Sequence, residues 1–269
     1  MCEKRDKKIN RLLIKSKRSQ VTLFIIIAVL IIAAAAIIYF LYPKLGIGNV
    51  ISADTPQAYI QKCMGESFED NVEKISVQGG SMNPVNYIAY NGDNIEYLCY
   101  SSSDYEKCVM QKPLLVQSTG LEIKNSIKEN VNLCFNNLEE NYKSKGYEVS
   151  LTRKDYSLEF LPKRIEVVFD YALTLNKGGN SEKYDKLTIS VNNNLYELLG
   201  ITNSILNSEA SYGDAETTVY MTYYPWLKVE KKLQTDGTRV YILTNRNEGN
   251  KFQFASRSIA LPGGYGIEE

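Results

Sequence analysis

The residues best suited to chemistry are four cysteines in the long C-terminal part of the chain, Cys63, Cys99, Cys108 and Cys134. Outside the cytosol, an even number of cysteines is typical of disulfide bonds, and four cysteines allow three pairings. We favour Cys63–Cys134, which would join two predicted helices, and Cys99–Cys108, which would close a polar loop. The other pairings and buried free thiols are the alternatives. A zinc site is not expected, because the chain has neither a C-x-x-C motif nor histidine.

The absence of histidine restricts the catalysis that the chain can perform. It removes Ser-His-Asp and Cys-His nucleophile systems and the commonest general base near neutral pH. Paired carboxylates remain available in principle for glycoside hydrolysis. Two acidic pairs, Asp104 with Glu106 and Glu139 with Glu140, are more typical of solvated surface than of a cleft. We therefore predict no catalytic residues, no metal and no cofactor.

Two aromatic stretches are candidates for a contact surface, because tyrosine and tryptophan combine a rigid ring with a polar tip. "NIEYLCYSSSDYEKC" spans 94–108, and "VYMTYYPW" spans 219–226. The candidate contact residues are Tyr97, Tyr100, Tyr105, Tyr223, Tyr224 and Trp226. Alternatively, these residues lie on strands and pack in a core. The surface would suit a protein or glycan partner. Nucleic acid is not expected, because 31 acidic residues balance 31 basic ones.

An apolar run from residue 21 to residue 42 precedes these features. It holds 22 residues without a charge. As a helix it would extend about 33 Å, enough to cross a hydrocarbon core of about 30 Å. Residues 1–20 carry eight basic side chains against two acidic ones. The positive-inside rule therefore predicts a basic cytoplasmic segment at 1–20, a transmembrane helix at 21–42 and an extracellular remainder.

The junction before the apolar run allows a second interpretation. "KRSQVTLFIII" resembles the class III leader of archaeal type IV pilins, which implies cleavage between Ser19 and Gln20. The freed helix would then pack into a filament core. Ser19 stands where glycine or alanine is commoner in that leader. Removal as an ordinary signal peptide is disfavoured, because Ile-Ile-Tyr-Phe-Leu follows the small residues Ala34 and Ala36.

Hydrophobic periodicity predicts the elements of the exported part. Spacings of three and four residues indicate helices from Thr55 onward, over 121–143 and over 193–208. Alternating patterns indicate strands at 85–90, 95–100, 147–151, 156–160, 164–175, 187–191, 217–224, 227–234, 238–244 and 251–260. Asp236-Gly237 predicts a type I′ hairpin turn. The order predicts an α+β domain, mainly antiparallel, over 55–269. Residues 43–54 would be a linker, and the predicted loop 176–186 is a candidate internal boundary.

The chain also resembles uncharacterised single-span exported α+β proteins of small-genome (DPANN-type) archaea. The resemblance is carried by "QVTLFIIIA", by a helix with "YIQKC" that runs into "QGG", and by "KFQFASRSIALP". It implies the topology and origin of the chain, and it implies no activity. We expect a single-pass protein anchored in the lipid bilayer of the cell membrane, with a structural, adhesion or interaction domain at the cell surface. A pilin-like filament subunit and a surface hydrolase that uses paired carboxylates are the alternatives.

Overall fold

The computed structural model describes residues 26–32 and 55–261 of the 269-residue chain. Residues 26–32 are helical and belong to one unit, and the residues from Thr55 onward belong to a second. Neither in 26–32 nor in 55–261 does a helix combine the length and the apolar character that a membrane crossing needs. The predicted segments 1–20 and 43–54 lie outside the described residues, as does most of the predicted span 21–42 and the Ser19–Gln20 junction.

Within the described residues, the second unit contains five helices and twelve strands. The helices are α1 (Pro56–Val77), α2 (Leu115–Ser126), α3 (Lys128–Ser144), α4 (Leu195–Tyr212) and α5 (Thr217–Tyr223). The strands are β1 (Tyr87–Tyr90), β2 (Asp93–Tyr100), β3 (Val109–Met110), β4 (Glu148–Thr152), β5 (Tyr156–Leu161), β6 (Arg164–Phe169), β7 (Ala172–Lys177), β8 (Asn180–Tyr184), β9 (Leu187–Asn192), β10 (Leu227–Leu233), β11 (Arg239–Asn245) and β12 (Lys251–Arg257).

The strands form three sheets. The largest has the order β1-β2-β12-β11-β10, with β3 paired to β2. Two three-stranded sheets have the orders β4-β7-β8 and β5-β6-β9. The pairing of β12 with β2 is parallel, and the other pairings between described strands are antiparallel. The predicted α+β class with mainly antiparallel sheets is therefore confirmed.

Helix α1 starts where the sequence predicts. The Thr55 side chain accepts a hydrogen bond from the Ala58 amide at 3.2 Å, and Pro56 occupies the first turn, where its missing N–H costs nothing. The predicted apolar face is buried at Ile60, Met64, Phe68, Val72 and Ile75. This face packs against α3, β9 and β12, so α1 joins sheets that share no strand.

Both predicted disulfide pairings are confirmed. Cys63 on α1 is bonded to Cys134 on α3, with their Cα atoms 5.9 Å apart. Cys99 on β2 is bonded to Cys108, which precedes β3, with a Cα separation of 5.3 Å. The first bond crosses two helices that pack together, and the second closes the loop between two paired strands.

The predicted helix over 121–143 is wrong as a single helix. Helix α2 ends at Ser126, α3 begins at Lys128, and Ile127 lies between them with φ −92° and ψ −4°. The buried face nevertheless continues through the break, because Ile123, Ile127 and Val131 are all buried. Periodicity alone therefore gives no sign of the break.

The predicted strand over 164–175 is also wrong as a single strand. Strand β6 pairs with β5 and β9, whereas β7 pairs with β4 and β8, so the chain changes sheet after Phe169. The alternation survives this change, because Phe169, Tyr171 and Leu173 are all buried. An alternating pattern predicts which side chains face the core, but it does not predict which strands pair with each other.

Two further elements differ from the prediction. Residues 180–184, inside the predicted loop 176–186, form β8 and pair with β7. Their side chains are exposed or half-buried, so they carry no apolar signal. Residues 217–223, predicted as a strand, form α5. The Glu216 carboxylate accepts a hydrogen bond from the Thr218 amide at 2.9 Å, and this N-cap together with packing on β10 outweighs the strand-favouring composition.

The hairpin predicted at Asp236-Gly237 is confirmed, but its turn is not type I′. Strands β10 and β11 pair up to Leu233 and Arg239, and the Gly237 amide donates to the Gln234 carbonyl at 3.1 Å. Gly237 has a φ of +81°, whereas Asp236 is outside the left-handed region. A type I′ turn needs two left-handed residues, and the longer loop here needs one.

Candidate functional site

An open groove lies between α4, α5 and the segment that leads into β10. Its volume is about 230 Å3. The α4 side is built from residues at spacings of three and four along one helix face, Glu197, Gly200, Ile201 and Ser204. The other side is aromatic and consists of Tyr220, Tyr224 and Trp226. We call this site the aromatic groove.

Regular structure holds the aromatic side in place. The Tyr220 hydroxyl lies 3.0 Å from the Ser204 hydroxyl, which ties α5 to α4 across the groove. The Tyr224 amide donates to the Tyr220 carbonyl at 2.9 Å, so Tyr224 closes α5. The Trp226 carbonyl accepts from the Arg246 amide at 2.8 Å next to β11. The rings of Tyr224 and Trp226 are tilted, with centroids 5.8 Å apart.

Gly200 leaves the α4 wall open at its centre. It lies within a helix, where glycine is less favourable than alanine by about 0.5–1 kcal/mol. A Cβ atom at this position would meet no heavy atom within 4 Å. The missing side chain is therefore not required by packing, and its effect is to widen the groove.

Glu197 supplies the one ionisable carboxylate among the residues that line the groove. One carboxylate oxygen, Oε1, accepts a hydrogen bond from the Lys163 amide at 3.0 Å, in the turn between β5 and β6. The other oxygen, Oε2, is covered from solvent and has no hydrogen-bond partner. An ionised oxygen in such a place favours a donor or a positive charge nearby.

The second predicted aromatic stretch contributes two of its three candidates to the groove. Tyr224 and Trp226 line the groove, whereas Tyr223 is 77% exposed and is not among the lining residues. Tyr220 also lines the groove and belongs to the same predicted stretch, whereas Glu197, Gly200 and Ser204 were not predicted as site residues. The sequence does contain one sign of the site. Gly200 lies in the middle of a helical pattern, where a glycine is unfavourable and therefore indicates a role in packing or function.

The first predicted aromatic stretch lies elsewhere, on β2 and the loop after it. Strands β12 and β11 separate β2 from β10. Tyr97 is 7% exposed, its hydroxyl lies 2.9 Å from the Thr238 hydroxyl, and its ring packs edge-on against Tyr100. Burial raises the pKa of Tyr97. Tyr97 therefore packs in the interior, while Tyr105 in the disulfide-closed loop is 62% exposed.

Arg257 clamps this disulfide-closed loop onto the large sheet. Its guanidinium donates to the Ser101 carbonyl at 2.7 Å and to the Asp104 carboxylate at 2.6 Å. Its Nε also donates to the Asp236 carbonyl at 3.2 Å, so one side chain holds two loops. Asp104, one of the acidic residues considered for hydrolysis, is therefore paired.

Glu209 on α4 is the carboxylate with the most unusual environment in the described domain. It is fully buried and accepts hydrogen bonds from the Tyr241 hydroxyl, from Arg239 at 3.1 Å and from Ser256 at 3.0 Å. Burial raises its pKa, and the hydrogen bond from Tyr241 and the charge of Arg239 oppose that rise. Burial, together with the neighbouring Glu209 carboxylate, also raises the pKa of Tyr241.

A general acid for hydrolysis needs a raised pKa and also an open cleft. Glu209 meets the first requirement and not the second, because protein groups surround it completely. Glu139, another residue considered for hydrolysis, pairs with Arg153 at 2.9 Å. Across residues 26–32 and 55–261, no three histidine, cysteine, aspartate or glutamate side chains are grouped so as to hold a metal ion.

No protein-family model, no curated protein and no solved structure matches this chain.

Proposed function

We propose that this chain is a single-pass protein of the cell surface whose C-terminal domain binds a glycan in the aromatic groove. The observation that carries the proposal is the tilted pair of Tyr224 and Trp226, which lines an open groove between firmly held elements. The apolar face of a sugar ring stacks on aromatic rings, and its hydroxyls bond to polar tips such as those of Ser204 and Tyr220. A groove of about 230 Å3 has room for a single sugar ring.

The membrane anchor is the second part of the proposal. Residues 26–32 are helical and entirely apolar, and all seven side chains are exposed. Exposed apolar side chains in a continuous run favour contact with lipid over contact with water. The basic segment 1–20 favours a cytoplasmic N-terminus, which gives the C-terminal domain an extracellular location. The two disulfides fit an oxidising exterior.

Glycan binding is tested with the full-length protein in lipid nanodiscs on an array of immobilised oligosaccharides. We expect a subset of glycans to retain the protein, and we expect Trp226→Ala and Tyr224→Ala to lose that retention. Tyr223→Ala is the matched control, because Tyr223 is adjacent in sequence and exposed but does not line the groove. Retention that survives Trp226→Ala, or retention of no glycan, would overturn the proposal.

The topology is tested on intact cells that produce the protein. Protease added outside should degrade the C-terminal domain, and alkaline carbonate should leave the protein with the membrane fraction. A protected domain, or a full-length protein released by carbonate, would contradict the anchor and its orientation.

A pilin-like filament subunit is the second candidate, and the basic-Ser-Gln junction before the apolar run favours it. The intact mass of the membrane-extracted protein separates the two candidates. Loss of residues 1–19 identifies cleavage between Ser19 and Gln20 and supports the filament subunit. A mass that includes the N-terminal segment supports the uncleaved anchor.

A further inference from the structure

We propose that the aromatic groove selects sugars that carry a free, protonated amino group, with Glu197 as the residue that determines this specificity. This inference rests on the proposed glycan binding and names the class of glycan.

Glu197 places a carboxylate in the wall of the aromatic groove. Among the described residues its one hydrogen-bond partner is the neutral amide of Lys163, and no lysine or arginine side chain forms an ion pair with it. A neutral donor lowers the energy of a carboxylate but leaves its charge in place. Within the described residues the Glu197 carboxylate therefore has no ion-pair partner, and the compensation it does have comes from its place in the first turn of α4, where the helix dipole favours a negative charge.

The surroundings of Glu197 determine how strongly it attracts a charged ligand in the groove. Its Oε2 atom is shielded from water, and the groove is otherwise lined by Gly200, Ile201, Ser204 and three aromatic rings. Attraction between opposite charges is stronger where few water molecules screen it, and a ligand that fills the open groove displaces the water there. A cation in the groove thus gains energy from Glu197 without displacing the Lys163 amide.

An aromatic wall lies across the groove from Glu197. The faces of tryptophan and tyrosine attract an ammonium group, and the attraction grows when water is excluded. Tyr220, Tyr224 and Trp226 face the same space as Glu197. A neutral sugar uses the rings for stacking alone, whereas an amino sugar can use both the rings and the carboxylate.

The groove provides its own probe, because Trp226 is the single tryptophan of the chain. Its fluorescence reports events in the groove without a label. The ligands are three oligosaccharides with the same β-1,4 backbone that differ at carbon 2 of each sugar. Chitosan oligosaccharide carries an ammonium group, chitin oligosaccharide an acetamide and cello-oligosaccharide a hydroxyl. The protein is the full-length chain in lipid nanodiscs, below the pKa of the sugar amine.

We expect chitosan oligosaccharide to bind at least about tenfold more tightly than the other two, which corresponds to about 1.4 kcal/mol. Added salt should reduce this preference, because it screens the charge of Glu197. Glu197→Gln keeps the Oε1 acceptor for the Lys163 amide, so we expect the variant to fold, to bind all three ligands and to lose the preference. Circular dichroism checks its fold.

Gly200→Leu is the second variant, because it fills the groove and leaves Trp226 in place as the probe. Gly200→Leu should lower the affinity for all three oligosaccharides by a similar factor. Equal binding of the three by the unmodified protein, or a preference that survives Glu197→Gln, would overturn the inference and leave the proposed glycan binding intact. No change in Trp226 fluorescence with any sugar, together with no retention on the array, would overturn both.

Discussion

The side-chain amide of Gln61 forms two hydrogen bonds with the backbone of Ser190, in the way that the backbone of a neighbouring β-strand would. Its side-chain Nε2 donates to the Ser190 carbonyl at 3.1 Å, and the Ser190 amide donates to its Oε1 at 3.0 Å. Gln57, one helical turn earlier, makes the same two-way pairing with Thr188. The two glutamines of α1 thereby occupy hydrogen-bonding groups along the outer edge of β9, which is an edge strand of its sheet. Unpaired edges of this kind invite aggregation.

Loss of this pairing should destabilise the domain. Gln61→Ala leaves the amide and carbonyl of Ser190 without their partners, so we expect the free energy of unfolding to fall by about 1–3 kcal/mol. Urea denaturation followed by Trp226 fluorescence measures the change. Lys62→Ala, at an exposed position next to Gln61, is the control and should change stability by less than about 0.5 kcal/mol. Equal effects of the two substitutions would contradict a role for the glutamine pairing.

The two disulfides should differ in their contribution to stability. The Cys63–Cys134 bond joins residues 71 positions apart, and the Cys99–Cys108 bond joins residues 9 positions apart. A disulfide that closes a longer loop restrains the unfolded chain more. Removal of the Cys63–Cys134 bond should therefore lower the free energy of unfolding by about 4 kcal/mol, and removal of the Cys99–Cys108 bond by about 3 kcal/mol. Paired Cys→Ser variants and chemical denaturation test this order. The reverse order would show that native contacts of the short loop, such as the Arg257 clamp, outweigh chain entropy.

The contributions of Glu209 and Asp214 to the free energy of unfolding should change with pH in opposite directions. Burial raises the pKa of Glu209, so the folded protein binds its proton more tightly and stability falls as pH rises above about 4.3 through the raised pKa. Glu209→Gln should therefore gain stability relative to the parent as pH rises through this window. Urea denaturation of the variant and the parent across pH 4–8 measures the difference. A difference that does not change with pH would contradict the raised pKa.

Asp214 provides the matched comparison. Burial acts to raise its pKa, but the hydrogen bond from Lys231 and the charges of Lys231 and Arg239 lower it overall. Its contribution to stability is present above the ordinary aspartate pKa, about 3.9, and is lost as pH falls through the lowered value. Asp214→Asn should thus lose stability relative to the parent as pH rises through that lower window.

Gly200→Ala should stabilise the domain while it narrows the aromatic groove. Alanine is better than glycine within a helix by about 0.5–1 kcal/mol, and the new Cβ atom meets no neighbour within 4 Å. Thermal unfolding measures the gain, and sugar titration of the same sample measures the accompanying loss of affinity. Gly65→Ala, in the middle of α1 with its nearest contact at 3.5 Å, is the control that should change stability without changing affinity. A destabilised Gly200→Ala would mean that the helix needs glycine there.

The buried faces of this fold could be predicted from the sequence, because burial follows periodicity. In the helix predicted over 193–208, apolar residues at spacings of three and four, such as Leu198, Ile205 and Leu206, are buried. The alternation of residues 164–175 likewise identified the correct core side chains. The same pattern concealed the change of sheet after Phe169, because neither side of the break departs from a period of two.

The candidate site was predicted only in part, because its residues come from distant segments. Tyr224 and Trp226 were selected for their aromatic rings, without the helix that positions them. Glu197 was missed because a glutamate on a helix is ordinary, and its hydrogen bond from the Lys163 amide forms only when α4 packs beside the turn between β5 and β6. Pairing in three dimensions, and not residue type, distinguishes this carboxylate from Glu139.

Strand β12 has a consequence for how the molecule is made. It lies between β2 and β11, so the strand that joins the early and late parts of the large sheet follows all the other described strands along the chain. Until residues 251–257 have been synthesised, β2 lacks its parallel neighbour and that edge of the strand is open. A polypeptide that ends before residue 251 would therefore lack the strand that unites the two halves of the large sheet.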